Sequence, residues 1–350
     1  MEIKDQNGMP VVVWITQTRS TDSTYTWHQI LLADLNKGAP MHYAAYSGFQ
    51  RLTECFNDAL EKHKNIVLQA GSLQDPVGDF ETSVANSLKQ SPPVLECRFL
   101  YDARGSSLYE QITKQPEYYP TRTEAAILQK NAAEISTLTG PCTLIELGSG
   151  SSIKTDYLLS AYQSRYTNIC YTPIDISANA LKDAGRSIIQ QRPQVQVVGI
   201  HGTYADSFPL IRCASPSLII FLGSTIGNFT PEEEHIFWSD IAQNMQVGDH
   251  FLLGVDLVKD TDILNAAYND KNGITEQFTK NYFTRMNREL FTNIDPDRIA
   301  HVAFFNPAKE QMEIYIEFLD DQTITIPALQ QTFVFARGER IMLEISRKFR

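Results

Sequence analysis

The sequence has few cysteines and no long apolar run, and each shortage excludes a class of protein. Its 350 residues include five cysteines, which are widely spaced and form no CxxC pair, so neither a disulfide framework nor a zinc site is predicted. Apolar stretches such as Val11–Ile15 and Leu218–Leu222 are far shorter than the roughly 20 residues that a membrane span needs. We therefore expect a reduced protein with no metal site and no membrane span.

The sequence also has fewer basic than acidic residues. The 30 lysines and arginines against 41 aspartates and glutamates give a formal net charge of −11 at pH 7. Nucleic acids and anionic membranes attract basic faces, which displace their counterions, so neither is an expected partner. The first residues show no basic region followed by an apolar stretch, and we expect no signal peptide and a cytoplasmic location.

Strands that alternate with amphipathic helices fill the middle of the chain, and this alternation predicts an α/β fold with a doubly wound parallel sheet. The predicted strands are Thr143–Leu147, Ile169–Ile176, Val195–Ile200, Leu218–Leu222 and His250–Val255, and the predicted helices are Lys154–Arg165, Ala178–Gln191 and Pro231–Met245. After Asp262, two helices precede antiparallel-looking strands, which indicates a second subdomain. These later elements are Leu264–Tyr268, Ile274–Leu290, His301–Asn306, Gln311–Leu319, Thr323–Ile326 and Glu339–Arg347.

The first part of the chain carries no recognisable chemistry. Pro10–Thr16 and Tyr25–Leu35 are predicted to form a strand pair, and Phe49–Lys62 is predicted to form a helix with one apolar face. Further on, Thr121–Glu124 matches a capping-box pattern, which would open a helix over Ala125–Leu138.

The segment ELGSG (146–150) joins the first strand to a helix. Glycines there let a ligand approach the backbone, and helix-start N–H groups favour an anionic group, although many such turns are plain connectors. Asp175 ends the next strand, where a carboxylate can accept both ribose hydroxyls of a nucleoside; the alternative is a helix cap, for which Ser177 is the better candidate. With no GxGxxG and no phosphate-loop Lys-Ser/Thr, S-adenosylmethionine fits better than a dinucleotide.

The segment FLGSTIGNFT (221–230) ends the fourth strand, where a doubly wound sheet places its ligands. Two glycines and Asn228 suit the close approach of a polar substrate, and a tight turn stabilised by Asn228 is the alternative. Glu344 and Ser346 alternate on a terminal strand and by themselves indicate a solvated face. Several tyrosines either line a pocket or belong to the core: Tyr101, Tyr109, Tyr118, Tyr119 and Tyr268.

From about residue 97 to 350 the chain resembles the histidine-specific Nα-methyltransferases of ergothioneine biosynthesis, which form hercynine. The motifs that carry the resemblance are PEYYPTRTE (116–124), ELGSG (146–150), FLGSTIGN (221–228), GVDLVKD (254–260) and EISRKFR (344–350). The resemblance implies a Rossmann-like class I methyltransferase sheet with a second, smaller α+β substrate-binding subdomain. The ranges would be 1–62 for an N-terminal extension of unknown role, 63–122 and 143–258 for the cofactor-binding domain, and 123–142 and 259–350 for the substrate-binding subdomain.

The resemblance also implies a site and a reaction. A monomeric enzyme would use S-adenosylmethionine to methylate the α-amine of L-histidine, ending at the trimethylated betaine. Residues along the cofactor would be Gly148, Lys154, Asp175, Thr203 and Tyr204. Residues on the substrate would be Tyr118, Gly223, Asn228, Tyr268, Glu344 and Ser346, the last two on the imidazole, with Tyr101 and Asn228 as the catalytic residues.

The sequence departs from the family pattern at three places. Thr203 stands where an acidic residue usually receives the adenine amine, so adenine recognition would use backbone groups or Asp206. Ile314 stands where the bacterial histidine enzymes tend to carry Met. The family pattern continues beyond Arg350, and one hypothesis is that the strand pair within Val11–Leu35 supplies the missing sheet edge.

Two other functions stay open at this point. One is N-methylation of a prenylated tryptophan or another amino acid; Glu344 and Ser346 argue against an indole, because an indole pocket needs no such polar pair. The other is a truncated, inactive protein that binds the cofactor without turnover.

Overall fold

The computed structural model describes residues 2–4, 10–12, 31–32, 42–45, 56–63, 65–69, 76–150 and 154–350. Most of the predicted strand pair within Val11–Leu35 and the first residues of the predicted helix Phe49–Lys62 lie outside these ranges. Of that helix, residues 56–61 are helical and are labelled α1. Within the described ranges, no helix is both long and apolar enough to cross a membrane, and no group of three His, Cys, Asp or Glu side chains is placed to hold a metal ion.

The chain divides into two compact units, and each is assembled from three segments. Unit 1 comprises Met1–Leu73, Thr123–Gly223 and Thr230–Val255, and unit 2 comprises Gln74–Arg122, Ser224–Phe229 and Asp256–Arg350. This division differs from the predicted boundaries, which placed 63–122 with the parallel sheet and 123–142 outside it. The reason is packing: Leu128 and Ile135 belong to the core of the parallel sheet, whereas Phe99 and Leu108 belong to the core of unit 2.

An eight-stranded sheet forms the centre of unit 1, in the order β10-β9-β6-β7-β8-β5-β4-β3. Every neighbouring pair is parallel except β3 and β4. The strands are β3 (Leu31–Leu32), β4 (His42–Ala45), β5 (Ile66–Gln69), β6 (Thr143–Leu147), β7 (Ile169–Asp175), β8 (Val195–His201), β9 (Ser217–Phe221) and β10 (His250–Leu253). The chain order reverses between β6 and β9, which is the switch point where doubly wound sheets bind ligands.

Helices accompany this sheet as the alternation predicts. They are α4 (Tyr119–Thr139), whose first residues belong to unit 2, α5 (Thr155–Gln163), α6 (Ala178–Gln191), α7 (Tyr204–Ile211) and α8 (Pro231–Asn244). The predicted α6 and β6 match the structure residue for residue, and Ser177 caps α6 as predicted by accepting a hydrogen bond from the Ala180 N–H. The short α7 was not predicted.

The predicted capping box at Thr121–Glu124 is wrong. Helix α4 begins two residues earlier, at Tyr119, where Pro120 fits the first turn because a helix start needs no N–H from that residue. Thr121 is therefore already helical, and the Glu124 carboxylate accepts hydrogen bonds from Gly223 and Lys154 instead of capping its own helix.

Unit 2 is built from helices packed on antiparallel strands, as the sequence predicts for its C-terminal part. The helices are α2 (Pro76–Leu88), α3 (Ala103–Ile112), α9 (Thr261–Ala267) and α10 (Ile274–Glu289). One sheet has the order β11-β12-β15, with strands Ile299–Asn306, Gln311–Phe318 and Arg340–Arg347, and a separate hairpin pairs β13 (Gln322–Ile326) with β14 (Gln331–Phe335). Strands β12 and β15 carry an irregularity between Ile314 and Tyr315, which locally re-aims side chains.

The described residues match the N-terminal strand hypothesis at one strand and contradict it at the other. Strand β2 (Pro10–Val12) pairs with β1 (Glu2–Lys4) in a separate two-stranded sheet. Leu31–Leu32 does reach the outer edge of the eight-stranded sheet, but it pairs there with His42–Ala45, at the end opposite to β10.

Candidate active site

The turn after β6 in unit 1 contains Gly148 and Gly150 and is called the glycine cradle here. Gly148 has a φ of +71°, and a Cβ built at this position would lie 2.7 Å from the Tyr204 hydroxyl oxygen, closer than any side chain tolerates. Its N–H donates to the Ile174 carbonyl at 2.8 Å, which ties the turn to β7. The positive φ and this close contact both favour glycine at position 148, and the predicted cofactor role of Gly148 stays a prediction.

Asp175 ends β7 beside this turn, and its two carboxylate oxygens are held by backbone N–H groups. Oδ1 accepts from Ser177 at 2.9 Å and Oδ2 from Gly150 at 3.2 Å. Burial raises the pKa of this carboxyl. The Ile176 N–H also bonds this carboxylate. An ionised carboxylate has about four acceptor positions, so the three N–H groups leave room for a further donor such as a ribose hydroxyl.

Thr203 and Tyr204 open α7. The Thr203 hydroxyl accepts from the Asp206 N–H at 3.2 Å, and the Asp206 carboxylate accepts from the Thr203 backbone N–H at 3.4 Å, which forms a capping box. The same carboxylate also accepts from the Thr203 hydroxyl at 2.8 Å. The Tyr204 ring packs edge-on against Phe221, with centroids 5.6 Å apart. Asp206 is thus engaged by the helix start, and Tyr204 supplies an aromatic edge above the glycine cradle.

Glu124 links three parts of unit 1, and sequence reasoning did not place it in the site. Its carboxylate accepts from the Gly223 N–H at 2.8 Å and 3.0 Å and forms an ion pair with Lys154. Gly254 passes so close that a Cβ there would meet Glu124 Oε1 at 2.0 Å. The predicted residues Lys154 and Gly223 are therefore brought together by an acid that the sequence pattern presented as a helix cap.

Aromatic rings line one part of unit 2. Tyr118 lies edge-on to Tyr268, with centroids 6.1 Å apart, and to Tyr109 at 6.4 Å. Tyr101 packs edge-on against Tyr109 at 5.5 Å and Phe278 at 5.4 Å. Burial, with the Glu344 carboxylate as the next cause, holds the pKa of the Tyr101 hydroxyl well above its ordinary value, so Tyr101 stays protonated at physiological pH.

Asn228 ends a short 3₁₀ turn, Thr225–Asn228, whose entry is strained. Ser224 adopts a left-handed conformation with a φ of 56°, which costs a non-glycine residue roughly 1 kcal/mol or more. Its hydroxyl accepts the Asp256 N–H at 2.9 Å, and this contact holds the turn. Asn228 is half-buried, and its predicted contact with the substrate stays a prediction.

Glu344 and Ser346 lie two residues apart on β15, so they share one face of the strand. Their partners across the ladder are Ile314 and Met312, respectively. Burial raises the pKa of Glu344 to about 7, and Lys348 opposes this shift. The Ser346 hydroxyl accepts the Tyr268 O–H at 2.9 Å, which places two predicted site residues in direct contact.

An ionic cluster lies beside them that the sequence did not reveal. Lys348 donates to the Tyr268 and Ser346 hydroxyls and pairs with Asp256 at 3.0 Å. Asp256 also pairs with Lys259 and accepts the Tyr119 O–H at 2.6 Å. Burial raises the pKa of Asp256, but the two lysines outweigh it and hold the pKa below its usual range. The available signal was the spacing of the terminal motif, which puts a lysine two residues after Ser346.

The predicted site residues thus fall into two groups. In unit 1 the structure brings Gly148 to Tyr204 and Lys154 to Gly223 through Glu124, with Asp175 bonded to the neighbouring Gly150. In unit 2 it brings Tyr118, Tyr268 and Ser346 together and couples Tyr101 to Glu344. The two groups carry different chemistry: acceptors and an open backbone in unit 1, and aromatic rings with a polar pair in unit 2.

Comparison with known proteins identifies a family. Residues 80–350 match the family described as histidine-specific methyltransferase, SAM-dependent. The chain is 41% identical over 267 residues to histidine N-alpha-methyltransferase of Mycolicibacterium smegmatis, which covers 76% of this chain and 83% of that protein.

Two fungal relatives are more distant. Ergothioneine biosynthesis protein 1 of Neurospora crassa is 30% identical over 243 residues, which cover 64% of this chain and 28% of that longer protein. A 4-dimethylallyltryptophan N-methyltransferase of Epichloe festucae var. lolii is 29% identical over 192 residues, which cover 53% of this chain and 55% of that protein.

Proposed function

The chain belongs to the family of histidine-specific, S-adenosylmethionine-dependent methyltransferases, and from that premise we propose that it methylates the α-amine of L-histidine up to the trimethylated betaine, as in ergothioneine biosynthesis. The substrate is the α-amino acid itself, and the enzyme works as a cytoplasmic monomer. The observation that carries the choice of substrate is the polar pair Glu344 and Ser346 beside a wall of tyrosines.

The residues of unit 1 fit the cofactor by their donors and acceptors. Gly148 provides the open backbone, Asp175 accepts the ribose hydroxyls, and Tyr204 with Thr203 borders the adenine. Lys154 supplies the cation for the methionine carboxylate, and Glu124 keeps it in place. When bound, S-adenosylmethionine supplies an electrophilic methyl group on a sulfonium.

The residues of unit 2 orient the amine. Methyl transfer to nitrogen is an in-line displacement, for which alignment provides most of the rate. Asn228 and the Tyr101 and Tyr118 hydroxyls accept and donate hydrogen bonds that direct the amine lone pair. The amine must be neutral to attack, and since Tyr101 stays protonated, the proton leaves to water.

Successive methylation changes what the site must hold. Each methyl group removes an N–H donor and leaves a larger, more apolar ammonium. Aromatic rings attract such a cation with about 0.5–2 kcal/mol, and Tyr118 and Tyr268 are placed edge to face in the same wall. The tyrosines therefore favour progress to the quaternary product.

Prenylated tryptophan is the second candidate, because a relative that methylates such a compound shares 29% identity. An indole offers one N–H donor and no acceptor. It would leave one member of the Glu344–Ser346 pair unsatisfied, which costs about 1–3 kcal/mol for a buried group.

The test is mass spectrometry of the purified protein incubated with S-adenosylmethionine and a panel of amino acids that includes histidine, tryptophan and 4-dimethylallyltryptophan. We expect mass gains of one, two and three methyl groups on histidine alone. Methylation of a tryptophan derivative in preference to histidine would overturn the proposal, and a protein that binds the cofactor with no methylated product would show a binder without turnover.

A further inference from the structure

Lys348 lies next to the candidate imidazole pair but donates only to the protein. It is 4% exposed, and its three N–H groups go to Tyr268 Oη at 2.9 Å, Ser346 Oγ at 3.0 Å and Asp256 Oδ2 at 3.0 Å. An ammonium has three donors and no acceptor, so no donor remains for a ligand. Lys348 therefore acts through its neighbours, and it is a positioning residue.

The hydrogen bond from Lys348 determines which hydrogen bonds the Ser346 hydroxyl can still form. Its oxygen accepts from Lys348 and also from the Tyr268 O–H at 2.9 Å, and a hydroxyl oxygen has two acceptor positions and one donor. In this pair the Tyr268 O–H is the donor, and the Tyr268 oxygen accepts in turn from Lys348. With both acceptor positions filled, Ser346 can only donate.

Asp256 makes this arrangement possible in a buried place. Burial would lower the pKa of Lys348, but Tyr268 and Asp256 outweigh it and raise the pKa above its ordinary value, so the ammonium stays charged. Asp256 is itself buried and held by Lys259 and the Tyr119 hydroxyl. A buried cation with a satisfied partner keeps a fixed position, and so do the hydroxyls that it orients.

We propose that Lys348, through Tyr268 and Ser346, selects the neutral imidazole in a single tautomer, with its unprotonated nitrogen facing Ser346 and its N–H facing Glu344. This inference rests on the proposed function. A neutral imidazole carries one donor and one acceptor, which matches an acceptor-only carboxylate and a donor-only hydroxyl. A ring with a donor but no acceptor leaves the Ser346 O–H unpaired, and a ring with an acceptor but no donor leaves Glu344 unpaired.

The experiment compares substrates that carry only half of this pattern. Pyrrolylalanines keep the ring N–H and lack the acceptor, and thiazolylalanines keep the acceptor and lack the N–H. Values of kcat/KM are measured at about pH 9, where Glu344 is ionised. In Lys348→Met, the Ser346 oxygen regains an acceptor position, and its O–H can turn away from the substrate. The ratio of kcat/KM for histidine to that for pyrrolylalanine should therefore fall about tenfold. The ratio for histidine to thiazolylalanine should change less than about twofold.

Lys259→Met is the matched control. It removes a lysine from the same carboxylate but leaves both hydrogen bonds to Ser346, so the histidine-to-pyrrolylalanine ratio should stay as in the wild type. Tyr268→Phe removes the other donor to Ser346 and should lower that ratio even if Lys348→Met fails to fold, as judged by circular dichroism.

A merely structural role predicts a different result. If Lys348→Met and Tyr268→Phe lowered kcat/KM for histidine and pyrrolylalanine equally, with the ratio unchanged, the inference would be wrong while the proposed function stands. A wild-type protein that methylates no histidine would overturn the proposed function, and the inference with it.

Discussion

At the residue scale, Glu344 is the side chain whose charge state bears most directly on substrate binding. Burial raises its pKa to about 7, so the group changes charge within the physiological range. Below that pH it carries a proton and donates a hydrogen bond; above it, both oxygens accept. Charge-assisted hydrogen bonds are the stronger ones, so under the proposed function the ionised form should bind the imidazole N–H of histidine more tightly than the protonated form.

We expect the KM for histidine to fall as the pH rises through about 7, because ionised Glu344 accepts the ring N–H. Glu344→Gln cannot ionise, so its KM should lack this component and exceed the wild-type value by about tenfold above neutral pH. Steady-state kinetics at a series of pH values measures both. Equal pH dependence of KM in the two proteins would show that another group controls binding.

At the scale of elements, the turn Thr225–Asn228 depends on one close approach. A Cβ on Gly227 would lie 2.7 Å from the carbonyl oxygen of Arg347 and 3.1 Å from its nitrogen, and both are backbone atoms that cannot rotate away. The turn and the end of β15 are therefore held at a spacing that only glycine allows.

Gly227→Ala should lower the free energy of unfolding by about 1–3 kcal/mol and raise the KM for histidine, because Asn228 moves with the turn. Gly140→Ala provides the control: its φ is +70° but nothing lies within 4 Å of the added Cβ, so it should cost about 1 kcal/mol and leave KM alone. Denaturant unfolding and initial rates measure the two effects. An unchanged KM in Gly227→Ala would separate the turn from substrate binding.

The elements also show what local pattern can and cannot predict. Helix α6 was predicted to the residue because Ser177 marks its start and an amphipathic face fills its length. Helix α7 was missed although Thr203 and Asp206 form a capping box, since it is short and contains Pro209. Thr121 and Glu124 have the same capping-box spacing but form no capping box, because the Glu124 carboxylate accepts from the N–H of Gly223, far along the chain.

Burial of polar groups was the least predictable feature. Lys348 follows Ser346 at strand spacing, where a lysine is ordinarily solvated. Its burial depends on Asp256 and Tyr268, which lie much earlier in the sequence and reach it only in the folded chain. The predicted list of site residues therefore contained the groups expected to touch ligands and omitted Glu124 and Lys348, which hold those groups.

At the scale of the whole molecule, the proposed cofactor residues belong to unit 1, and the proposed substrate residues other than Gly223 belong to unit 2. Glu124, Lys154 and Asp175 make their described contacts within unit 1, and Tyr268, Ser346 and Lys348 make theirs within unit 2. Changes in one group should therefore affect one ligand.

S-Adenosylhomocysteine at about 100 times its Kd should stabilise the protein by about 2.7 kcal/mol. We expect Asp175→Ala to lose most of this increment, because the ribose hydroxyls lose their acceptor, and Ser346→Ala to keep it. Thermal unfolding with and without the ligand gives the comparison. Loss of the increment in Ser346→Ala, or its full retention in Asp175→Ala, would contradict this division of roles.

The interleaving of the two units also bears on how such an enzyme changes over generations. Unit 1 reaches from the first residue to Val255 and unit 2 from Gln74 to Arg350, so any single recombination breakpoint between these positions divides both. Exchange of one whole unit between two genes would need breakpoints at all five junctions between the segments. Point substitutions in unit 2, at positions such as Ile314 and Ser346, need no breakpoint, so we expect them to be the simpler route to a new substrate preference.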